Sequence, residues 1–306
     1  MKKILKRTLW VGVLLVVVLG IALGVGLGIG LKNHDDSPSE SSSEPIGNSS
    51  IADNTTDYSV AWQPLVGTSW QIELLNPLND TSVQVGIYDI DLFNNNASLI
   101  STLHSEERKV ICYFSAGSYE NWRPDADKFN QSDLGSPLDG WPGEWWLNIS
   151  SPNVRSIMAA RIELAHQKGC DGVDPDNVDG YDNDNGLGLT QNDSINYMYF
   201  LANETHFRNM SIGLKNAGEI IPAVIGQMQW SVNEQCAQYD ECDTFFAFPD
   251  AGKPVFHIEY PKGDNTNNNN NDVTETQKEN ACDFSGSSNF STIIKNMDLD
   301  DWIEFC

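Results

Sequence analysis

Gly169-Cys170-Asp171-Gly172-Val173-Asp174-Pro175-Asp176-Asn177-Val178-Asp179-Gly180-Tyr181 is the stretch that decides the fold. An apolar helical run ends at its first glycine, a short strand follows, and the strand turns acidic as it ends. Pro175 has no N–H to give a sheet ladder, so pairing should fade where Asp174 and Asp176 appear. A strand whose C-terminal end is acidic and opens into an Asn/Asp/Gly loop is where barrel enzymes place functional carboxylates. A calcium loop is the competing use. An EF-hand starting at Asp174 would put Val178 where Asp or Asn belongs, Asp179 in place of the glycine and Asn185 in place of the bidentate glutamate. That use is excluded, and no metal is expected.

Outward from this stretch, short β-type runs alternate with amphipathic helical ones. The expected strands are Trp70–Leu75, Val83–Asp89, Lys109–Phe114, Gly172–Asp174, Ser211–Lys215, Trp230–Asn233, Val255–Glu259 and Trp302–Phe305. Helical spacing covers Ala97–Arg108, Pro152–Lys168, Asp193–Arg208 and Ser287–Met297. Ser151 and Pro152 form a helix-opening pair and Gly169 a stop. Eight strands with intervening helices over residues 58–306 predict an α/β fold, a (β/α)₈ TIM-type barrel. Three places strain the pattern: Asn76–Ser82 is too short for a helix, and 115–150 and 265–271 read as long loops. No Gly-x-Gly-x-x-Gly or P-loop occurs, so neither a doubly wound nucleotide fold nor a nucleotide cofactor is expected.

Residues 8–31 carry no charge and are long enough to span a hydrocarbon core. Lys2, Lys3, Lys6 and Arg7 precede them, while Asp35, Asp36, Glu40 and Glu44 follow. This predicts a single transmembrane signal anchor with residues 1–7 cytoplasmic and the rest outside the plasma membrane. A cleaved signal peptide is the alternative, but its apolar region is shorter, about 7–15 residues. Residues 32–57 are Ser-, Asp-, Glu- and Asn-rich and too poor in apolar side chains to fold, so they read as a disordered stem. Asn-x-Ser/Thr acceptors at Asn48, Asn54, Asn79, Asn96, Asn130, Asn148, Asn192, Asn203, Asn209 and Asn289 suit an extracellular glycoprotein. So do six cysteines, all beyond the anchor. Cys236 with Cys242 and Cys282 with Cys306 are the expected disulfides.

The chain has 43 acidic and 18 basic side chains, a net charge of −25. Such an exterior excludes nucleic acid, whose phosphates need basic contacts, and would attract a cationic ligand. No Gly-x-Ser-x-Gly elbow supports a nucleophilic serine, and no His-Glu-x-x-His supports a metal centre. Carboxylates at strand ends are the better material: Asp89 and Asp91 at the second strand, Asp174 and Asp176 at the fourth, Glu234 after the sixth, Glu259 ending the seventh. In a barrel these ends open on one face. Two converging carboxylates, one protonated and one ionised, are the equipment for glycosidic cleavage. Aromatic rings near the same ends, among them Tyr113, Tyr119, Trp122, Trp141, Trp145, Trp146, Trp230 and Tyr260, offer flat apolar faces for sugars.

Four segments carry a resemblance: Ile111-Cys112-Tyr113-Phe114-Ser115-Ala116-Gly117-Ser118-Tyr119-Glu120, Gly172-Val173-Asp174-Pro175-Asp176-Asn177, Leu214-Lys215-Asn216 and Val232-Asn233-Glu234. In order and spacing they resemble glycoside hydrolase family 114, endo-α-1,4-polygalactosaminidases built on a (β/α)₈ barrel and often membrane-anchored in fungi. The resemblance runs from about Trp62 to Gly263. It implies Asp176 as nucleophile, Glu234 as acid/base, retention of anomeric configuration, and a partly deacetylated, hence cationic, galactosamine polymer as substrate. Asp174 and Asp176 share one face of a strand, so spacing alone leaves the nucleophile open between them. The further expected contacts are Asp89, Tyr113, Tyr119, Asp174, Asn177, Lys215, Trp230, Glu259 and Tyr260, with Glu259 and Asp89 meeting substrate amines. Asn177 and Lys215 are the expected hydrogen-bond donors beside the nucleophile. Glu234 is expected to be partly buried against Trp230 and to hold its proton.

Overall fold

Runs of β-branched and aromatic residues supply eight parallel strands. They are β1 (Trp70–Glu73), β2 (Ile87–Asp91), β3 (Lys109–Ser115), β4 (Gly172–Asp176), β5 (Ser211–Lys215), β6 (Trp230–Glu234), β7 (Val255–Glu259) and β8 (Phe290–Lys295). Each pairs in parallel with the next. A ninth strand, β9 (Ile303–Phe305), runs antiparallel to β8. The computed structural model describes residues 62–306. The expected anchor at 8–31 and stem at 32–57 lie outside them. No helix among the described residues is long and apolar enough to cross a membrane.

The result is a nearly closed TIM-type barrel. No backbone ladder joins β1 to β8; the seam is closed by other contacts. Trp70 Nε1 donates to the Ser291 carbonyl at 2.8 Å, and the amides of Leu74 and Leu75 donate to Leu299 O. Inward-facing Trp70, Ile72, Ile87, Ile111, Trp230, Val232, Phe256, Ile258 and Ile293 fill the interior. The larger apolar cluster lies between the outer face of the strands and the helices.

Three long helices cover β2 to β5: α1 (Ala97–Ser105), α2 (Pro152–Lys168) and α3 (Gln191–Phe207). Ser151 caps α2 by accepting from the Asn153 amide, and Gly169 ends it at φ 91°. The cap of α3 is Thr190, reciprocated by Asp193, rather than an Asp or Asn. The other side of the barrel has helices of four residues, at 221–224, 236–239 and 247–250. A further helix, Glu275–Cys282, is capped by a Thr274–Gln277 box that the sequence reading overlooked.

Two expectations are corrected. The run at 287–297 is not a helix: its core is β8, the eighth barrel strand. The run at 302–305 is the antiparallel β9, not the eighth strand. Phe290, Ile293, Ile294 and Met297 recur at helical spacing, but the open slot beside β7 takes this β-branched run as a strand. The insertion at 115–150 also holds structure, a three-stranded antiparallel sheet of Ser118–Glu120, Leu134–Pro137 and Glu144–Leu147. Buried arginines fasten it. Arg123 bridges Glu120 and Asp91, each at 2.7 Å, and Arg161 holds Asp125 at 2.9 Å and the Ser115 carbonyl at 2.7 Å. Cys236–Cys242 and Cys282–Cys306 are bonded as expected, and Cys112–Cys170 makes the third bridge.

Candidate active site

Side chains alternate along a strand, so Asp174 and Asp176 both point into the mouth of the barrel while Val173 and Pro175 do not. Lys215 ends the neighbouring β5 and Glu234 ends β6. Parallel register brings all three to one level. Lys215 Nζ lies 3.3 Å from Asp176 Oδ1 and 3.2 Å from Glu234 Oε2. Each carboxylate also receives a phenol: Tyr113 donates to Asp176 Oδ2 at 2.8 Å, and Tyr260 donates to Glu234 Oε1. Asn216 completes the Glu234 side. Its amide donates to Oε2 at 3.0 Å, and its carbonyl oxygen accepts from the Glu234 backbone at 2.9 Å. Asn216 sits at φ 49°, a left-handed conformation that asparagine tolerates better than most residues.

Exposure separates the acids. The Asp176 and Glu234 side chains are 17 % and 23 % exposed, whereas Lys215 is 2 % exposed and Asp174 and Asp89 are fully buried. Burial raises Asp89 well above the carboxylate range, and the neighbouring Asp174 raises it further. Asp89 therefore keeps its proton, while burial holds the neighbouring Asp174 at about 7 against the pull of Lys215; neither carboxyl has a hydrogen-bond partner among the described residues. Burial pushes Glu234 upward too, but Lys215 and the donors Tyr260 and Asn216 outweigh it and hold Glu234 below its ordinary value. Tyr113 and Tyr260 are raised, first by burial and then by the carboxylates they serve, so both stay protonated donors.

Of the expected site residues, Asp176, Glu234, Lys215, Tyr113 and Tyr260 converge. Asn177 adjoins them, but its amide donates to Ser115 and Ser118 rather than to Asp176. Its backbone packs so tightly on Gly117 that a Cβ there would meet the Asn177 carbonyl oxygen at 1.7 Å. Tyr119 stands in the insertion sheet against Trp145 and Phe129. Four expectations are corrected. Trp230 opens β6 at the opposite end of the barrel, fully buried, its ring filling the space left by Gly172 and Gly213. It therefore does not shield Glu234. Glu259 is 3 % exposed and already engaged by His257 and by the amides of Ala237 and Gln238. Asp89 faces Asp174, not solvent. Glu234 also lacks the raised proton affinity expected of it. Asn216 was overlooked as a site residue, although it stands beside Lys215 in one of the quoted motifs.

Cys236, Cys242 and His257 are close enough to suggest a metal cluster, but the disulfide consumes both thiols.

Among curated proteins none matches the chain. The crystal structure of Aspergillus fumigatus Ega3 in complex with galactosamine is 72 % identical over 80 % of this chain and 97 % of that one, with a TM-score of 0.79. The glycoside hydrolase domain of PelA from Pseudomonas aeruginosa shares the fold at 12 % identity, with 77 % and 98 % coverage and a TM-score of 0.57. Residues 52–306 match the glycoside-hydrolase family GH114 along their whole length, and with the barrel and its paired carboxylates described, the chain belongs to that family.

Proposed function

We propose that this glycoside hydrolase cuts α-1,4-linked galactosamine chains internally, outside the cell, with retention of configuration. The observation that carries the reading is the pair Asp176 and Glu234, solvent-reachable and bound to the same Lys215 ammonium. A shared ammonium keeps the two carboxylates close, compatible with the separation of about 5–5.5 Å typical of retaining enzymes. The substrate class is supported by the galactosamine held by the 72 %-identical Ega3 and by this chain's net charge of −25.

Asp176 acts as the nucleophile. Lys215 stabilises its anion, and the Tyr113 hydroxyl orients one oxygen, leaving the other to attack the anomeric carbon. Glu234, which Lys215 holds ionised in the empty site, takes up a proton as substrate binds, gives it to the departing glycosidic oxygen, and then takes one from the water that releases the glycosyl-enzyme. Asp174 is unsuited to attack, being fully buried. Its role is to support the strand end without adding a full negative charge beside Asp176. The transmembrane anchor remains part of the proposal on sequence grounds, with residues 1–7 cytoplasmic.

Incubation with a de-N-acetylated α-1,4-galactosamine polymer tests the reading. New reducing ends with the α-anomer formed first are expected. Release of the β-anomer would refute the assignment of Asp176, and no cleavage of any galactosamine polymer would refute the function.

A further inference from the structure

A second concave surface adjoins the carboxylates without containing them. It is a groove of about 780 Å³ between the 136–146 hairpin of the insertion and the loop that follows β4. Trp141, Trp145, Glu144, Asn177 and Asp184 are among its lining residues. Asn177, the residue after Asp176, joins it to the catalytic mouth.

Glu144 is the unusual member. It is only 7 % exposed, yet it lines the groove. Its Oε2 accepts from Ser118 Oγ at 2.7 Å. Ser118 Oγ is itself 2.5 Å from Ser115 Oγ, which accepts from the Asn177 amide at 2.9 Å. The donors can thus run in one direction, Asn177 to Ser115 to Ser118 to Glu144, and the terminal acceptor they favour is a carboxylate anion. No ion pair to Glu144 is present among the described residues. Arg123, the nearby guanidinium, is engaged by Glu120 and Asp91. A nearly buried carboxyl with oriented donors, no salt-bridged cation of its own and indoles alongside is built for an arriving cation.

We propose that this groove is a sugar subsite in which Glu144 receives the ammonium of a galactosamine unit neighbouring the one being cleaved, with the indoles of Trp141 and Trp145 as its stacking walls. The inference rests on the galactosamine reading of the active site and deepens it, because it names where free amine is told from acetamide. An acetamide carries no charge, so an N-acetylated unit leaves the carboxylate without its partner. Burial, reinforced by Glu120 and Asp176 and opposed by Ser118 and Arg123, holds Glu144 at about 7 in the empty groove. Asp184 also faces the groove and adds to its negative potential. Protonation below neutrality removes the charge that receives the ammonium.

The test is binding to the full chain carrying Asp176→Asn, which stops turnover, followed by tryptophan fluorescence. The probes are an α-1,4-galactosamine oligomer and its fully N-acetylated counterpart. The parent should prefer the amine form, and its affinity should weaken as pH falls from about 8 to about 6. Adding Glu144→Gln should weaken amine binding about tenfold or more, leave acetylated binding unchanged and flatten the pH dependence. Trp141 is 52 % exposed, so Trp141→Ala tests the groove with little risk to folding; it should weaken both oligomers. If Glu144→Gln keeps the preference and the pH dependence, or Trp141→Ala binds both as the parent does, the subsite is wrong while the galactosamine reading stands. If the parent binds neither oligomer and the unmutated chain cuts no galactosamine polymer, both fall.

Discussion

Replacing Lys215 with methionine removes one charge from the centre of the site while keeping the length of the side chain. Its ammonium lies 3.2 Å from Glu234 and 3.3 Å from Asp176. At an effective dielectric of about 20, a unit pair at that distance is worth about 5 kcal/mol. Water entry and relaxation take back much of this, leaving about 1.5–3 kcal/mol at Glu234, or one to two pH units. Glu234 loses the partner that most holds its proton affinity down, so it should bind its proton more tightly. Glu234 must carry a proton to act, so it sets the alkaline limb of kcat/KM. The alkaline limb should therefore move to higher pH by at least about one unit, and the maximum should fall. The assay is the initial rate of reducing-end release from deacetylated polymer across pH. Stability reports on the same change. Removing the cation leaves uncompensated acids, a loss of about 3–5 kcal/mol that shrinks where they can take up protons, so the Tm deficit should grow with pH. A Lys215→Met enzyme whose pH profile stays in place would refute the electrostatic account of the site.

Asp176→Asn and Glu234→Gln should each lower turnover by several orders of magnitude with folding intact, while Asp174→Asn is milder; a dead Asp174→Asn beside an active Asp176→Asn would move the nucleophile to Asp174. Gly213→Ala should depress Tm strongly, by more than the about 1–3 kcal/mol of ordinary overpacking, because its Cβ would lie 2.1 Å from Trp230 Nε1; an unchanged melting curve would contradict the packing of the barrel floor. Asp174 and Glu144 hold protons up to about 7, above their ordinary values of 3.8 and 4.5. Their contribution to stability is therefore complete below about 4, is lost as pH rises through about 7 and is flat beyond; Asp174→Asn should flatten its share of the slope in thermal melts. Replacing Cys112 and Cys170 together with alanine opens a bridge across 58 residues and should cost about 2–4 kcal/mol by denaturant titration.

Local chemistry made much of this legible in the sequence. The acidic end of β4, the Ser151-Pro152 start and Gly169 stop of α2, and seven of the barrel strands follow from periodicity, caps and proline, all of which act within a few residues. The motif resemblance singled out Asp176, Glu234, Lys215 and Tyr113, and the aromatics near strand ends added Tyr260; the barrel brings these five together. Other properties belong to no single segment. Phe290–Lys295 has apolar residues at helical spacing and becomes a strand only because the barrel leaves a slot beside β7. Trp230 reads as a sugar-stacking ring until register puts it at the opposite end, over Gly172 and Gly213. Glu259 looks available until the amides after β6 occupy it. The charge states were decided last and at longest range. Whether a carboxyl on β2, β4 or β6 keeps its proton depends on burial and on one lysine from β5, groups that meet only when the sheet curls into a barrel. Burial and proximity are properties of the assembled barrel, and for that reason the sequence named the acids while the tertiary structure settled which of them face the solvent and which are charged.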